Sequence, residues 1–476
     1  MTDPLAVLPL ALAAGGGTVD SYDAGQLVAA GVTLLQRSAP LVRALGGKRA
    51  AILLPTSPQF LVALAASEGR GTVLVNPLAA PAEIAYQIRD ANVGAVFTLA
   101  SFAPRVPGDV VRVLLDDAPS RARVLANGEA RDVDLGTHFG IRLEGESDAE
   151  GRDEEAAIVY TSAMAGRPLG AILTHRNLLA NARATIEAGE QTPLDHVLAV
   201  LPFSHLFGLT VTLSAPLLRG ARVTTVARFN PLSALQSLET HDITEIVGVP
   251  AVFAGLLGAL ERSGRTRMSG ALRLCICGGA PLPVELQDRW FEATGTELRQ
   301  GYGLTEAGPV CLFNHVRLPN RRGALGIPFP RVDVGLFDPR SGERAPVGAE
   351  GEIRVRGANV FAGYVGGTGA GLEMRDGWLC TGDLGRERAD GSIEFAGLLK
   401  AMFTRNGFNI YPRELEQAVE AMPGVRRATV SAIPHPAREH DIGITVEGDV
   451  AETAVKQWCE ERLSGYKQPT EITVLR

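Results

Sequence analysis

The sequence predicts an α/β protein with a large N-terminal domain of parallel βαβ sheets, a β-rich subdomain and a small α+β C-terminal domain. Three observations carry this. Over roughly the first three hundred residues, short apolar runs alternate with stretches of helical period, the signature of parallel βαβ units. From about residue 323 to 397, short strands punctuated by glycine replace that alternation. From 398 to 476 a helix-and-strand mixture returns. The expected division is therefore 1–397 and 398–476, and 476 residues exceed one ordinary domain of about 100–200 residues.

The elements follow in order. Leu5 to Ala14 is apolar, but no Lys or Arg precedes it and Asp3 stands where a secretory leader carries positive charge, so it reads as an ordered N-terminal segment. Ala50–Leu54 is a buried strand ended by Pro55. Thr72–Val75, Gly94–Leu99, Ala157–Tyr160, Val197–Leu201, Arg222–Val226, Glu245–Val249 and Leu272–Cys277 repeat that reading. Pro81–Asp90 is helical, with proline at its first position and Ile84 and Ile88 four apart. Pro283–Phe291 is a second helix, with Leu286 and Trp290 four apart. Val332–Phe337, Glu352–Arg356, Trp378–Cys380 and Ser392–Phe395 are the strands of the β-rich region. Pro412 then opens a helix with Leu415, Val419 and Met422 on one face. Ala428–Ala432 is a strand, and Gln457–Leu463 is helical.

Composition narrows the function. Hydrophobic residues at 46% and charged residues at 21% are ordinary for a soluble globular chain and argue against disorder. A net charge of −7 makes a poor polyanion binder, so nucleic acid is not the expected partner. No uninterrupted apolar stretch reaches the ~18 residues of a membrane span. Cys275, Cys277, Cys311, Cys380 and Cys459 are odd in number and lack metal-ligand spacing; they read as reduced thiols of a cytoplasmic protein. Glycine is the outlier: 54 of 476 residues, about 11%, against a usual value of about 7%. Such an excess asks for many tight turns or close backbone approaches.

Standard catalytic signatures such as G-x-x-x-x-G-K-[ST], G-x-S-x-G and H-E-x-x-H are absent. What stands out is a set of strand exits. Ala157–Tyr160 runs into Thr161-Ser162-Ala163-Met164-Ala165-Gly166-Arg167-Pro168-Leu169-Gly170, whose hydroxyls and glycines suit the wrapping of backbone N–H groups around an anion. An ordinary βα turn is the alternative. Leu201 to Thr210 places His205 between Phe203 and Phe207, as a site residue or a satisfied buried histidine. Leu272–Cys277 ends in Gly278-Gly279-Ala280-Pro281, and Gln300-Gly301-Tyr302-Gly303-Leu304-Thr305-Glu306 follows. Glycines flanking Tyr302 let a flat ligand lie on its ring, while Thr305 and Glu306 offer a hydroxyl and a carboxylate to phosphate and a hard cation. Asp383, in Thr381-Gly382-Asp383, can bind two ribose hydroxyls. Each segment alone is also ordinary turn chemistry. Together they sit where open α/β sheets place ligands.

Taken in order, these segments resemble the adenylate-forming superfamily of acyl-CoA synthetases, adenylation domains and luciferases. The resemblance runs from about Ala50 to the C-terminus. It is strongest in GYGLTEAG at Gly301–Gly308, GEIRVRGANVFAGY at Gly351–Tyr364, GWLCTGDLG at Gly377–Gly385 and NGFNIYPRELE at Asn406–Glu416. AILLPTSPQFLVALAA and VNPLAAPAEIAYQIRDANVGAVF, upstream, look like the family too. The resemblance implies a large N-terminal domain and a small, mobile C-terminal domain that rotates between two half-reactions. A carboxylate attacks the α-phosphate of ATP with Mg²⁺, giving an acyl-adenylate and pyrophosphate. A thiol, usually of CoA, then attacks the adenylate. It also implies residue roles. Thr161, Ser162, Gly166 and Gly170 would belong to the phosphate loop. Gly279, Ala280, Gln300, Gly301 and Tyr302 would line the adenine. Thr305 would contact phosphate, Glu306 would hold Mg²⁺ and Asp383 would bind ribose. Phe203, His205, Val249 and Pro250 would lie beside the acyl pocket, with Thr305, Glu306 and His205 as the catalytic set. Lys400 would be the hinge, and Gly407 and Phe408 would reach the site in the thioester-forming orientation.

The chain departs from the family pattern at named positions. The family loop resembles Y-T-S-G-T-T-G-x-P-K-G; here Ala163, Met164, Ala165 and Leu169 replace a glycine, two hydroxyls and the lysine. Arg167 supplies a charge two positions from that lysine. Leu398 stands where the family has a ribose-binding arginine, which leucine cannot imitate. Ala401 and Thr404 replace an acidic residue and a second lysine. The chain stops at Arg476, about where a loop with a further lysine would begin, and Lys467 belongs to an earlier segment. The expected function is an ATP-, Mg²⁺- and CoA-dependent acyl-CoA synthetase with a weakened adenylation half. Its substrate would be a hydrophobic monocarboxylic acid, since Phe203–Leu209 and Val249–Phe253 are apolar and hold no Arg or Lys. Two alternatives stay open: a non-catalytic relative that binds a nucleotide or acyl-adenylate, and an acyl-AMP ligase serving a separate carrier protein.

Overall fold

A computed structural model describes residues 7–136, 152–161, 168–367, 371–399 and 403–475. Its architecture is mixed α/β, and most of its mass lies in two nine-stranded sheets. In the first, Glu155–Thr161, Thr72–Leu74, Arg49–Leu53, Val93–Thr98 and Val111–Leu114 run parallel. Ala51, Ile52 and Leu53 are fully buried, as expected of a central strand covered on both faces. Helices Gln59–Ala66 and Pro81–Asp90 make two of the crossovers. The second sheet has the parallel order Leu298–Gly303, Leu274–Cys277, Glu245–Gly248, His196–Ala199, Arg222–Thr225 and Thr18–Val19. The sequence-derived strands fall within about two residues of these bounds.

One reading changes. The alternative of an ordinary βα turn after Ala157–Tyr160 does not hold, because the next described element is a strand. Glu155–Thr161 returns as the antiparallel strand Leu169–Thr174, with Leu169 opposite Thr161 and Gly170 opposite Tyr160. Leu169, Ala171 and Leu173 are buried at alternate positions, which holds the return strand in the sheet. At the other edge, Arg121–Ala126 and Glu129–Asp134 form a hairpin, also antiparallel.

A five-stranded antiparallel sheet follows, built on Val332–Phe337, Glu350–Gly357, Trp378–Glu387 and Ile393–Leu398. Its last pairing sets Leu398 opposite Asp383. Beyond it come the hairpin Phe403–Arg405 and Phe408–Ile410 and a three-stranded sheet of Val425–His435, Glu439–Gly448 and Glu471–Leu475. Helices Pro412–Glu420 and Glu452–Arg462 pack on these strands around Leu415, Val419, Ile442, Ile444, Val455 and Cys459, a core of their own. Met422 lies just past the end of its helix. All five cysteines are buried free thiols. Among the described residues no helix is long and apolar enough to cross a membrane.

Candidate functional site

A cavity of about 750 Å³ opens where the ends of the parallel strands meet the C-terminal segments. The parallel strands deliver their glycine-rich exits to it. Gly279 follows strand Leu274–Cys277 with a left-handed φ of +79°, a conformation that favours glycine. Strand Leu298–Gly303 carries Gln300, Gly301 and Tyr302 to the wall. The next turn is tight: a Cβ on Gly303 would lie 1.8 Å from the Pro309 carbonyl oxygen. That closure aims the single turn Thr305–Ala307 at the cavity, and Asn359 Nδ2 braces it by donating to the Ala307 carbonyl at 2.7 Å.

Two tyrosines hold two of the cavity's carboxylates. Tyr302 Oη donates to Asp383 Oδ2 at 2.6 Å, and Tyr364 Oη donates to Glu306 Oε1 at 2.8 Å. Burial pushes the Asp383 carboxyl up to about 6, the Glu352 charge adds to the rise, and the Tyr302 bond opposes it. Burial also raises Glu306, against hydrogen bonds from Tyr364 and Thr161. Among the described residues, no positive group stands with those that shift Glu306. One buried carboxylate shared with substrate phosphates is the donor set Mg²⁺ takes. Among the described residues, no group of three or more His, Cys, Asp or Glu side chains gathers to hold a metal.

His205 faces the cavity, and its Nδ1 accepts the Phe207 N–H at 3.1 Å, which leaves Nε2 as the protonated nitrogen of a neutral ring. Protein crowds the ring closely enough to push it down to about 4. The ring is nonetheless open to cavity water, which argues for a milder depression than full enclosure would give. Either way the imidazole is neutral near pH 7. The chain then enters a π-helix, Phe207–Ser214, buried all round. It directs Phe207 at the bare backbone of Gly278, where a Cβ would meet the ring 3.2 Å away.

The C-terminal hairpin completes the wall. Gly407 has φ +76° and lies so close to Val249 that a Cβ there would be 2.6 Å from Val249 Cγ1. Phe408 stacks on Tyr466 with ring centres 4.3 Å apart.

The structure thus brings Thr161, His205, Val249, Gly279, Ala280, Gln300, Gly301, Tyr302, Thr305, Glu306, Asp383, Gly407 and Phe408 to one cavity. Three expected residues stand elsewhere. Phe203 is core, edge-on to Phe60 at 5.5 Å. Pro250 starts the helix Pro250–Arg262. Gly170 sits within its strand, facing Ile158, Val365 and Tyr160. Ser162, Gly166 and Lys400 lie outside the described residues, as do Ala163, Met164, Ala165, Arg167 and Ala401. Leu398 lines the cavity. Tyr364, Glu83 and Lys467 also line it without having been singled out as site residues. Tyr364 closes the GEIRVRGANVFAGY motif, the one signal that pointed to it. Among the described lining residues, three carboxylates (Glu83, Glu306 and Asp383) face one lysine, Lys467, itself buried in ion pairs.

Comparison with known proteins supports one family. A family model described as AMP-binding enzyme matches residues 38–365. A long-chain-fatty-acid–CoA ligase of Bacillus subtilis is 29% identical over 456 residues, covering 89% of this chain and 81% of that protein. A feruloyl-CoA synthase of an Amycolatopsis species is 32% identical over 435 residues, covering 90% and 84%. Among solved structures, o-succinylbenzoate CoA synthetase of Bacillus subtilis, bound with a product analogue, superposes with a TM-score of 0.81 at 24% identity, covering 100% of this chain and 95% of that one. ATP-bound MatB of Rhodopseudomonas palustris gives 0.71 at 27% identity, covering 99% and 95%.

Proposed function

The chain belongs to the AMP-binding enzyme family, and from that premise we propose that it is an acyl-CoA synthetase acting on a hydrophobic monocarboxylic acid. The observation that carries the reading is the convergence of Tyr302, Thr305, Glu306 and Asp383 on a cavity that His205, Phe207, Val249 and Gly407 also line. The first group suits a nucleotide: an aromatic face, a hydroxyl and two carboxylates. The second is mostly apolar and holds no Arg or Lys, so it suits an acyl group without a second carboxylate.

In the first half-reaction a carboxylate oxygen attacks the α-phosphorus of ATP and the bond to the β-phosphate oxygen breaks, releasing pyrophosphate. Tyr302 and Asp383 would fix the adenine and ribose, and Thr305 would hydrogen-bond the α-phosphate. Mg²⁺ bound at Glu306 would supply positive charge to the phosphates. In the second half-reaction the thiol sulfur of CoA loses its proton and attacks the acyl carbon, and AMP leaves. Neutral His205 would offer a polar N–H beside the reacting carboxyl, and Gly407, having no side chain, would leave room for the thiol arm.

ATP–pyrophosphate exchange over a panel of aliphatic and aromatic monocarboxylic acids, followed by mass detection of the CoA thioester, tests this. Acid-dependent exchange and thioester formation are expected. Absence of both across the panel would overturn the reading. One observation favours a second reading, a nucleotide-binding relative without turnover: the excess of carboxylates over cations among the described lining residues. Calorimetry separates the two, because tight AMP binding with negligible MgATP binding belongs to the second alone.

A further inference from the structure

We propose that Glu83 and Lys467 form a separable docking contact that positions Gly407 and Phe408 for the thiol half-reaction. This rests on the reading of the cavity given above. Lys467 is almost wholly buried, 4% exposed, although it is a lysine in a short surface connection. Its Nζ lies 2.6 Å from Glu414 Oε1, in the C-terminal segments, and 3.1 Å from Glu83 Oε1, in the first large sheet's helix Pro81–Asp90. Glu83 uses its other oxygen twice, accepting the Ala80 N–H at 3.0 Å and the Ser464 hydroxyl. Ser464 and Lys467 therefore grip one carboxylate from the far side of the cavity.

What they grip it with is stiff. Gly465–Lys467 is a single tight turn. Arg405 Nη1 donates to the carbonyls of Tyr466 at 3.2 Å and Gln468 at 2.7 Å. Gln468 Nε2 donates back to the carbonyls of Cys459 at 2.9 Å and Leu463 at 2.7 Å. Tyr466, one of the clamped residues, stacks on Phe408, its ring plane 21° from parallel. Phe408 adjoins Gly407, whose backbone presses on Val249. A continuous line of contacts runs from Glu83 through Lys467, Tyr466 and Phe408 to Gly407.

The contact is also built to open without leaving a bare charge. If the two sides part, Lys467 keeps Glu414, and Glu83 keeps its bond to the Ala80 N–H and gains water. Breaking a buried pair is expensive mainly when one partner is left uncompensated, and here neither is. The pair therefore suits a surface that seats and releases, whereas a permanent structural staple would need no spare partners.

Glu83→Gln is the discriminating variant, because glutamine at the third helical position can still cap Ala80 but carries no charge to pair with Lys467. Three measurements are made on the full chain: ATP–pyrophosphate exchange, single-turnover transfer to CoA from synthetic acyl-adenylate, and small-angle scattering of the ligand-free protein. Glu83→Gln and Lys467→Met should each slow transfer roughly tenfold more than they slow exchange. Lys467→Arg should recover part of the loss, and the double variant should be no slower than the worse single one. Scattering should broaden in both single variants. Equal slowing of both half-reactions, unchanged transfer or additive losses would overturn the proposal. A wild type inactive in both reactions would defeat the functional reading instead. The scattering then decides the contact alone, and an unchanged profile in both variants would refute it.

Discussion

The hydroxyl of Tyr302 donates a 2.6 Å hydrogen bond to Asp383, joining strand Leu298–Gly303 of the second large sheet to strand Trp378–Glu387 of the five-stranded one. Asp383 is pushed up to about 6 chiefly by burial. An acid whose folded pKa is raised contributes stability below its unfolded pKa and loses it as pH climbs through about 6. Binding runs the other way, because the ionised carboxylate is the form that accepts two ribose hydroxyls. Adenosine affinity, measured by calorimetry to avoid the AMP phosphate's own titration at about pH 6, should therefore rise from about pH 5 to about pH 7, and Asp383→Asn should abolish the rise. A flat profile in the unaltered protein would exclude Asp383 from ribose binding.

Glu306→Gln separates charge from shape. Glutamine can still accept the Tyr364 hydroxyl, so the turn Thr305–Ala307 should keep its place and the melting temperature should hardly move. Pyrophosphate exchange should fall by roughly 10²–10³-fold, the scale of a lost electrostatic stabiliser, and raising Mg²⁺ should not restore it. Exchange within a fewfold of normal would show that the cation is held elsewhere.

Gly407→Ala should damage the second half-reaction more than the first. Its Cβ would sit 2.6 Å from Val249 Cγ1, and φ at +76° adds strain for any residue with a side chain. Transfer to CoA should drop at least about tenfold, consistent with about 1–3 kcal/mol of overpacking. Val249→Ala in the same chain should return part of it by removing the two methyls. No recovery would mean that strain, rather than the contact, sets the cost.

Leu398→Arg tests whether the missing guanidinium matters. Position 398 pairs opposite Asp383 across the sheet and lines the cavity. A cation there should pull the Asp383 carboxyl down and tighten nucleotide binding by about 1.5–3 kcal/mol, the usual worth of a charge-assisted hydrogen bond. The pH profile of adenosine binding should shift downward with it. Unchanged affinity would show that the side chain at 398 does not reach the nucleotide.

Much of the fold could be read because a continuous apolar run bounded by glycine or proline has few alternatives in a long chain. Ala51–Leu54, closed by Pro55, and Leu274–Cys277, closed by Gly278, are such runs. Helix Pro81–Asp90 was legible to the residue, since Pro81 fixes the start and Ile84 and Ile88 fix the buried face. Thr18–Val19 could not be read, because two residues carry no period. The π-helix Phe207–Ser214 escaped too: every residue in it is buried, so it has no face to betray its pitch. At the site, Tyr302 and Asp383 were legible as motifs, but their bond spans 81 positions and needed the fold. Glu83 and Lys467, 384 positions apart, leave no local trace of their pairing.

The meeting of Phe207 with Gly278 makes any redesign of the cavity one-directional. Phe207 can be trimmed, which on the proposed reading would lengthen the acyl end. Position 278 cannot grow in compensation: its Cβ would also fall 2.9 Å from the Gly301 carbonyl oxygen, one residue before Tyr302. Nor can Gly208 shift the π-helix aside, since a Cβ there would strike the Pro202 carbonyl at 2.1 Å. On that reading, drift toward shorter acids through residue 278 would crowd the Gly301 carbonyl next to Tyr302 as well, whereas drift toward longer acids through residue 207 would leave that segment alone.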